Sequence, residues 1–363
     1  MPFNEFFRRR SELYPKDQYH YVSYPHKNTD EMIGIEKPNS NVHIGKPDSN
    51  DLCLILEELL KKFADRNRII VHSHDPRLTP SLKSVLRPYR KRAKLVHTVH
   101  NNFGRQSLNW RIKTTRSIMN SDYSVFCSKS SLKNFPLRRM LRKKVSAIQN
   151  GVDLKRIRDA QNDCKSHELN STTDIDTRIK LVTVTKSSTQ KNTEFLVRLA
   201  HSLNEKFTLK IIGSLSKDLY QVIEECRPTN IETTGIIGRE EVYCHFMNSD
   251  IFVSSSLWEG LPIGVMEAMA CGLPVILSDI PAHREIVEKE HSAYKQHKFS
   301  GRSILLEIDQ LQWQDELNWY HKNSPKLDEI GNHNRSFITD NFNLQNMHSK
   351  YTEIYDKLLG RSV

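Results

Sequence analysis

No stretch of this sequence stays apolar for the length a helix needs to cross a bilayer. The opening residues, Met1-Pro2-Phe3-Asn4-Glu5, lack the basic-then-apolar pattern of a secretory leader. The six cysteines (Cys53, Cys127, Cys164, Cys226, Cys244 and Cys271) are scattered, with no C-x-x-C pair. That spacing argues against a zinc ribbon or a small disulfide scaffold, and reduced thiols are expected. Among 16 histidines there is no H-E-x-x-H or comparable ligand pair. No internal repeat or low-complexity tract is present. Acidic residues are in deficit, 43 against 54 Lys and Arg, for a formal charge of +11.

The basic excess is clustered at Arg8-Arg9-Arg10, in RPYRKRAK from Arg87 to Lys94, and in RRMLRKK from Arg138 to Lys144. Such runs suit an anionic membrane face, nucleic acid, an anionic substrate, or simply a solvated surface. Aromatic residues are not interleaved with them as in RNA-binding modules, so nucleic acid ranks lowest.

The 363 residues, 37% hydrophobic and 27% charged, suffice for two domains of ordinary size. Strand-like and helix-like stretches alternate. Strands are expected at 19–24, 42–44, 68–72, 94–100, 123–127 and 145–148. Helices are expected at 3–13, 51–63, 78–89, 108–120 and 131–141, and a polar loop at 28–39. Asn150-Gly151 is a turn signal. The polar stretch from Leu154 to Arg178 reads as a linker. Strands at 180–185, 209–214 and 231–237 then alternate with helices at 193–203, 217–226 and 240–247, and helices at 304–320 and 344–359 follow. The pattern is that of an α/β fold with parallel sheets.

The most informative stretch is SSSLWEGLPIGVMEAMACGLPVILSDIPAHREIV, Ser254 to Val287. An apolar strand at 250–253 leads through Trp258-Glu259-Gly260-Leu261-Pro262 into a helix expected from Gly264 to Cys271. Gly272 stops that helix, and a second apolar strand begins at Pro274. Ligands in such units collect where strand C-termini meet helix N-termini. Glu259 and Glu267 stand with seven residues between them. The open N–H groups of the helix start suit a phosphate, and Glu267, a turn further in, suits the hydroxyls of a ribose. Two surface glutamates beside a capped helix is the plainer reading of that pair alone.

The whole string resembles the signature of the family-4 retaining glycosyltransferases, E-x7-E with an EAMA-x-G-x-PV segment. Glu259, Glu267, Ala268, Met269, Ala270, Gly272, Pro274 and Val275 carry the match. The resemblance implies the GT-B fold: two Rossmann-like parallel-sheet domains facing across a cleft. The domains expected are 1–150, completed by a returning C-terminal helix at 344–363, and a nucleotide-sugar-binding domain at 151–343. One departure is expected: the chain opens at the family's first helix, so the N-terminal domain would lack the first strand and its glycine loop.

The resemblance also assigns a donor site. Lys186 stands where the family has a basic residue, usually arginine, and Lys191 matches its lysine, while Thr185 replaces the preceding glycine. The two lysines would neutralise a leaving diphosphate without a metal. Glu259 would hold the donor sugar's hydroxyls and Glu267 the ribose. Gly260, Leu261, Pro262, Ile263 and Gly264 would line the donor, and Gly213 would end a strand at the same site. His100, at a strand end, would face the transferring centre across the cleft. His72 and His74 end the neighbouring strand, and His97 lies within its own.

No cofactor is expected beyond the nucleotide-diphosphate sugar itself. The expected activity is retaining transfer from a UDP- or GDP-sugar to a glycan or lipid-linked acceptor of a cell-surface polysaccharide. The expected location is cytoplasmic, at the inner membrane face. A catalytically weak or inactive relative that binds sugar nucleotides or serves as a partner subunit is the alternative.

Overall fold

The structure, a computed structural model, describes residues 21–23, 42–44, 49–63, 68–167, 178–186, 188–203, 205–226, 229–294 and 305–361. The helix expected at 3–13, the Arg8–Arg10 run and the loop at 28–39 lie outside them, as does the expected absence of a first strand and glycine turn. The chain divides into two compact units: residues 1–149 with 345–363, and residues 150–344.

In the first unit, β1 (Tyr21–Ser23) pairs in parallel with β2 (Val42–Ile44). Then follow α1 (Ser49–Phe63), β3 (Ile69–Ser73), α2 (Thr79–Leu86), β4 (Ala93–Val99), α3 (Leu108–Asn120), β5 (Tyr123–Phe126), α4 (Lys129–Lys133) and β6 (Val145–Ala147). Strands β3 to β6 form a parallel sheet in sequence order. Leu56 and Leu60 on α1 are four residues apart, so they share a helix face; they pack with Leu82, Leu86 and Leu95. The helix expected at 131–141 is cut short. Pro136 forces Phe135 into extended backbone (φ −83°, ψ 116°), and only a 3-10 turn, Pro136–Arg138, follows.

The second unit contains α5 (Leu154–His167), β7 (Ile179–Thr185), α6 (Thr193–Ser202), β8 (Phe207–Gly213), α7 (Lys217–Cys226), β9 (Ile231–Gly235), α8 (Arg239–Met247), β10 (Ile251–Ser254), α9 (Ile263–Ala270) and β11 (Val275–Ser278). It continues through α10 (Pro281–Tyr294), β12 (Leu305–Leu306), α11 (Gln310–Lys322) and α12 (Leu327–Asn341). Its parallel sheet has the order β12-β11-β10-β7-β8-β9. Leu181, Ile211, Val253 and Ile276 on the strands meet Trp313 and Leu317 of α11 in the core.

Three expectations for this unit are corrected. The polar stretch after residue 153 is not a linker over 154–167 but helix α5. Its buried Ile157, Ala160 and Cys164 recur at helical spacing in a stripe too narrow to stand out among polar neighbours. The cysteines are not all reduced: Cys164 on α5 and Cys244 on α8 form a disulfide, Cα to Cα 5.8 Å. They are 80 positions apart and meet only because α5 packs on α8. The helix expected from 304 begins at Gln310, after β12. Asp309 sets its start by accepting a hydrogen bond from the Gln312 amide.

The last helix, α13 (Leu344–Leu359), belongs to the first unit from Gln345 onward. Its Tyr355 hydroxyl lies 2.6 Å from His72 Nδ1, and its Tyr351 hydroxyl 3.0 Å from Thr98 Oγ1.

A candidate donor site at the strand-order reversal

In the second unit's sheet the strands run outward from the middle, β7-β8-β9 one way and β10-β11-β12 the other. The reversal between β7 and β10 opens a crevice at their C-terminal ends, where ligands of open parallel sheets bind. The loops leaving those two strands carry Lys186 and Lys191 on one side and Glu259 on the other.

These loops are stitched together. Asn192, at φ 48° in the left-handed region, turns the chain into α6. Its carbonyl accepts the Ser255 hydroxyl at 2.8 Å, and the Gln190 carbonyl accepts the Leu257 amide at 2.8 Å. Lys191 Nζ then reaches Glu259 Oε1 at 2.8 Å. Ser256 Oγ donates to the same oxygen at 2.9 Å, and Gln190 Nε2 donates to Oε2 at 2.9 Å. Glu259 is only 7% exposed, and this full set of donors is what makes a buried carboxylate tolerable. Lys186 is exposed and stands outside this network.

Beyond Glu259, Leu261 and Pro262 are buried, whereas Gly260, Ile263 and Gly264 are half-buried. Pro262 caps α9 without any side-chain hydrogen bond, so the amides of the first turn are left to solvent or a ligand. Glu267 lies one turn in, on a helix whose residues from Val265 to Ala270 are all buried. Arg239, the first residue of α8, donates to Glu267 Oε1 from Nε at 3.0 Å and also from Nη2, and Tyr243 OH donates to the same oxygen at 2.8 Å. Gly213, at the end of β8, pairs with Thr185 at the end of β7.

His283 on α10 is not among the residues expected here. It is fully buried, and its Nδ1 donates to the Ser278 carbonyl at 2.7 Å. The Ser278 hydroxyl in turn donates to the Ser256 carbonyl at 2.5 Å.

His100 belongs to the first unit. It follows β4, with Nε2 3.0 Å from His74 Nδ1, and His74 stacks on His72 at 4.2 Å between ring centroids. Burial, then the neighbouring His74, holds His100 well below the usual imidazole range. Burial, then His97, pushes His74 down to about 3. Both are therefore neutral near pH 7, one ring donating to the other. His97 lies inside the strand, buried, with Nδ1 donating to the Ser73 carbonyl at 3.1 Å.

The structure thus brings Lys191, Glu259 and the start of α9 together, leaves Lys186 exposed beside them, and puts Glu267 under Arg239 and Tyr243. Gln190, Ser256, Arg239, Tyr243 and His283 were missed. Three had a local signal: Ser256-x-x-Glu259 has the S-x-x-E spacing of a side-chain-bonded turn, and Arg239 and Tyr243 share a helix face at i, i+4.

His97 and His283 give each unit its own acid sensitivity. Burial pushes both down to about 4, against the partial relief of a hydrogen bond to a carbonyl. The unfolded chain takes up these protons from about pH 6.5 downward, and the folded chain only near pH 4. Stability from these groups is therefore whole above about pH 6.5 and falls as pH drops toward 4. Urea midpoints measured between pH 7.5 and 4.5 should decline through that window, and His283→Gln should flatten the decline for the second unit. A midpoint constant from pH 7 to 5 would contradict this assignment.

The sequence matches two family models, Glycosyltransferase Family 4 over residues 18–156 and Glycosyl transferases group 1 over residues 167–335. The chain belongs to the family-4 glycosyltransferases of the GT-B fold. It is 28% identical over 222 residues to the putative glycosyltransferase EpsF of Bacillus subtilis (strain 168), a match covering 58% of this chain and 57% of that protein. It is 28% identical over 160 residues to the UDP-Gal:alpha-D-GlcNAc-diphosphoundecaprenol alpha-1,3-galactosyltransferase of Escherichia coli, covering 42% of this chain and 41% of that one. These matches span roughly half the length of the relatives concerned. Among solved structures, Anabaena HepE in complex with UDP and glucose superposes with a TM-score of 0.68 at 13% identity, over 87% of this chain and 86% of that one. At that identity the likeness is one of fold.

Proposed function

We propose that this family-4 glycosyltransferase is an active, retaining enzyme. It moves a sugar from a nucleotide-diphosphate sugar, UDP- or GDP-linked, to a glycan or lipid-linked acceptor of a cell-surface polysaccharide. The observation that carries the reading is the Lys191–Glu259 pair at the reversal of strand order, beside an α9 N-terminus that no side chain caps.

Each part has a role that follows from its chemistry. An ammonium has three donors; one of Lys191's goes to Glu259, and the others have no partner among the described residues. They are available to the leaving diphosphate, together with the first-turn amides of α9 and the charge of Lys186. A Cβ on Gly264 would meet only Val184, at 3.9 Å. Packing therefore does not demand a glycine there, whereas close approach of a phosphate does. Glu259, oriented by three donors, accepts from the donor sugar's hydroxyls, and Glu267 accepts from the ribose. His100, neutral in the first unit, offers a hydrogen bond rather than a positive charge.

Both Glu259 oxygens are already hydrogen-bonded, which weakens it as a covalent nucleophile. The reading therefore favours attack by the acceptor hydroxyl on the anomeric carbon from the face the phosphate leaves. The carbon–phosphate oxygen bond breaks as the new glycosidic bond forms, and a phosphate oxygen takes the proton. Lysines and helix amides supply the charge stabilisation, so no metal is needed in this scheme.

The relative named for a diphosphoundecaprenol acceptor supports a lipid-linked acceptor here. Exposed Arg87, Arg90, Lys91 and Arg92, and Arg139 and Arg142 beside the exposed Met140, support contact with the anionic inner face of the membrane. No helix among the described residues is long and apolar enough to cross a membrane.

Calorimetry with UDP and GDP, followed by hydrolysis or transfer assays on a panel of their sugars, tests the reading. One nucleotide should bind and one donor turn over, with turnover surviving excess EDTA and the donor's anomeric configuration kept in the product. Binding without turnover would favour a sugar-nucleotide-binding partner subunit instead. Turnover abolished by EDTA and restored by a divalent cation would overturn the metal-free scheme.

A further inference from the structure

Glu267 is 6% exposed on an otherwise apolar helix, and an ionised carboxylate there needs partners. The partners it has are arranged unevenly. Arg239 Nε, Arg239 Nη2 and Tyr243 OH all donate to Oε1. Among the described residues Oε2 accepts no hydrogen bond. An arginine that serves only to neutralise a carboxylate pairs best with both oxygens, fork to fork. Here both its nitrogens converge on one oxygen, and Arg239 Nε also lies 3.0 Å from the Tyr243 hydroxyl, locking the two donors to each other.

The frame around this clamp is rigid. Arg239 and Tyr243 lie at i, i+4 on α8, Tyr243 is fully buried, and Cys244, the next residue, is tied to α5 by the disulfide. The result is a carboxylate held through Oε1, with Oε2 accepting no hydrogen bond among the described residues.

We propose that Arg239 and Tyr243 are positioning residues that fix Glu267 so that Oε2 is presented to a vicinal diol, which makes the site selective for ribonucleotides over 2′-deoxyribonucleotides. The inference rests on the reading of Glu267 as the ribose acceptor. A charged hydrogen bond to a hydroxyl is worth about 1.5–3 kcal/mol, roughly ten- to a hundredfold in affinity. That discrimination is realised only if the carboxylate cannot turn to follow a displaced sugar.

The test is calorimetric titration of the full chain with UDP, 2′-deoxy-UDP, GDP and 2′-deoxy-GDP. Wild type should bind one ribonucleotide about tenfold or more tighter than its 2′-deoxy form. Arg239→Gln should shrink that ratio to about twofold, chiefly by weakening the ribonucleotide. Tyr243→Phe, which removes one hydroxyl and keeps the packing, should give an intermediate ratio and covers the case in which Arg239→Gln does not fold. A merely structural role would weaken both nucleotides alike. An unchanged ratio in the variants overturns the inference and leaves the proposed function standing. Failure of wild type to bind either ribonucleotide overturns both.

Discussion

Replacing Glu259 with alanine is expected to lower turnover of the preferred sugar nucleotide by about a hundred- to a thousandfold, the range for removing a group that stabilises the transferring centre. Lys191→Ala should cost a similar factor. The two side chains act as a unit. Lys191 Nζ and Glu259 Oε1 are 2.8 Å apart, and each also holds the loop of the other. The double variant should therefore be little worse than either single one. Lys186 provides the contrast: exposed and outside the network, Lys186→Ala should mainly raise the KM for the donor. Initial rates across donor concentrations separate these cases. Turnover unchanged in both Glu259→Ala and Lys191→Ala would reject the site, and equal kcat losses for Lys186 and Lys191 would reject the division of labour between them.

That ordering came from geometry, whereas the candidate site was legible in the residues. The stretch from Ile251 to Val287 carries strand, loop, helix and strand in an arrangement whose local signals agree, and its resemblance to the family-4 signature is what implied the GT-B fold and singled out the E-x7-E pair. The alternation of apolar runs with helical stripes gave the parallel sheets for the same reason. What stayed hidden depends on contacts between distant segments. Cys164 and Cys244 are separated by 80 positions, and only the packing of α5 on α8 joins them. Arg239 sits 28 residues before Glu267, and nothing in the spacing of either says that α8 delivers a guanidinium to α9. His283 stayed hidden because its link to the site runs through Ser278 and a backbone carbonyl, which leave no pattern in sequence. The strand-order reversal is likewise a property of pairing, not of any strand's composition.

Gly213→Ala is expected to be strongly damaging to the second unit. Gly213 closes β8 at φ +119°, a region closed to side chains by their own backbone. A Cβ there would lie 2.1 Å from the Thr185 carbonyl oxygen, a backbone atom of the neighbouring strand that cannot swing aside. The backbone conformation alone costs about 1–3 kcal/mol, and the overpacking about as much again, against a typical total of about 5–15 kcal/mol. The relief available is to part β7 from β8 at their C-terminal ends. Thr185 is joined there to Thr193 through their hydroxyls at 2.6 Å, so the loop that carries Gln190 and Lys191 would shift with it. Stability and turnover should therefore fall together, read as a lower urea midpoint for the second unit and a lower kcat. Gly264→Ala supplies the opposite pattern, with an unchanged midpoint and weakened nucleotide binding, since its Cβ meets no protein atom nearer than 3.9 Å. If Gly213→Ala keeps the wild-type midpoint, the close approach of β7 and β8 is wrong. If Gly264→Ala keeps the wild-type affinity for the nucleotide, no ligand lies against the start of α9.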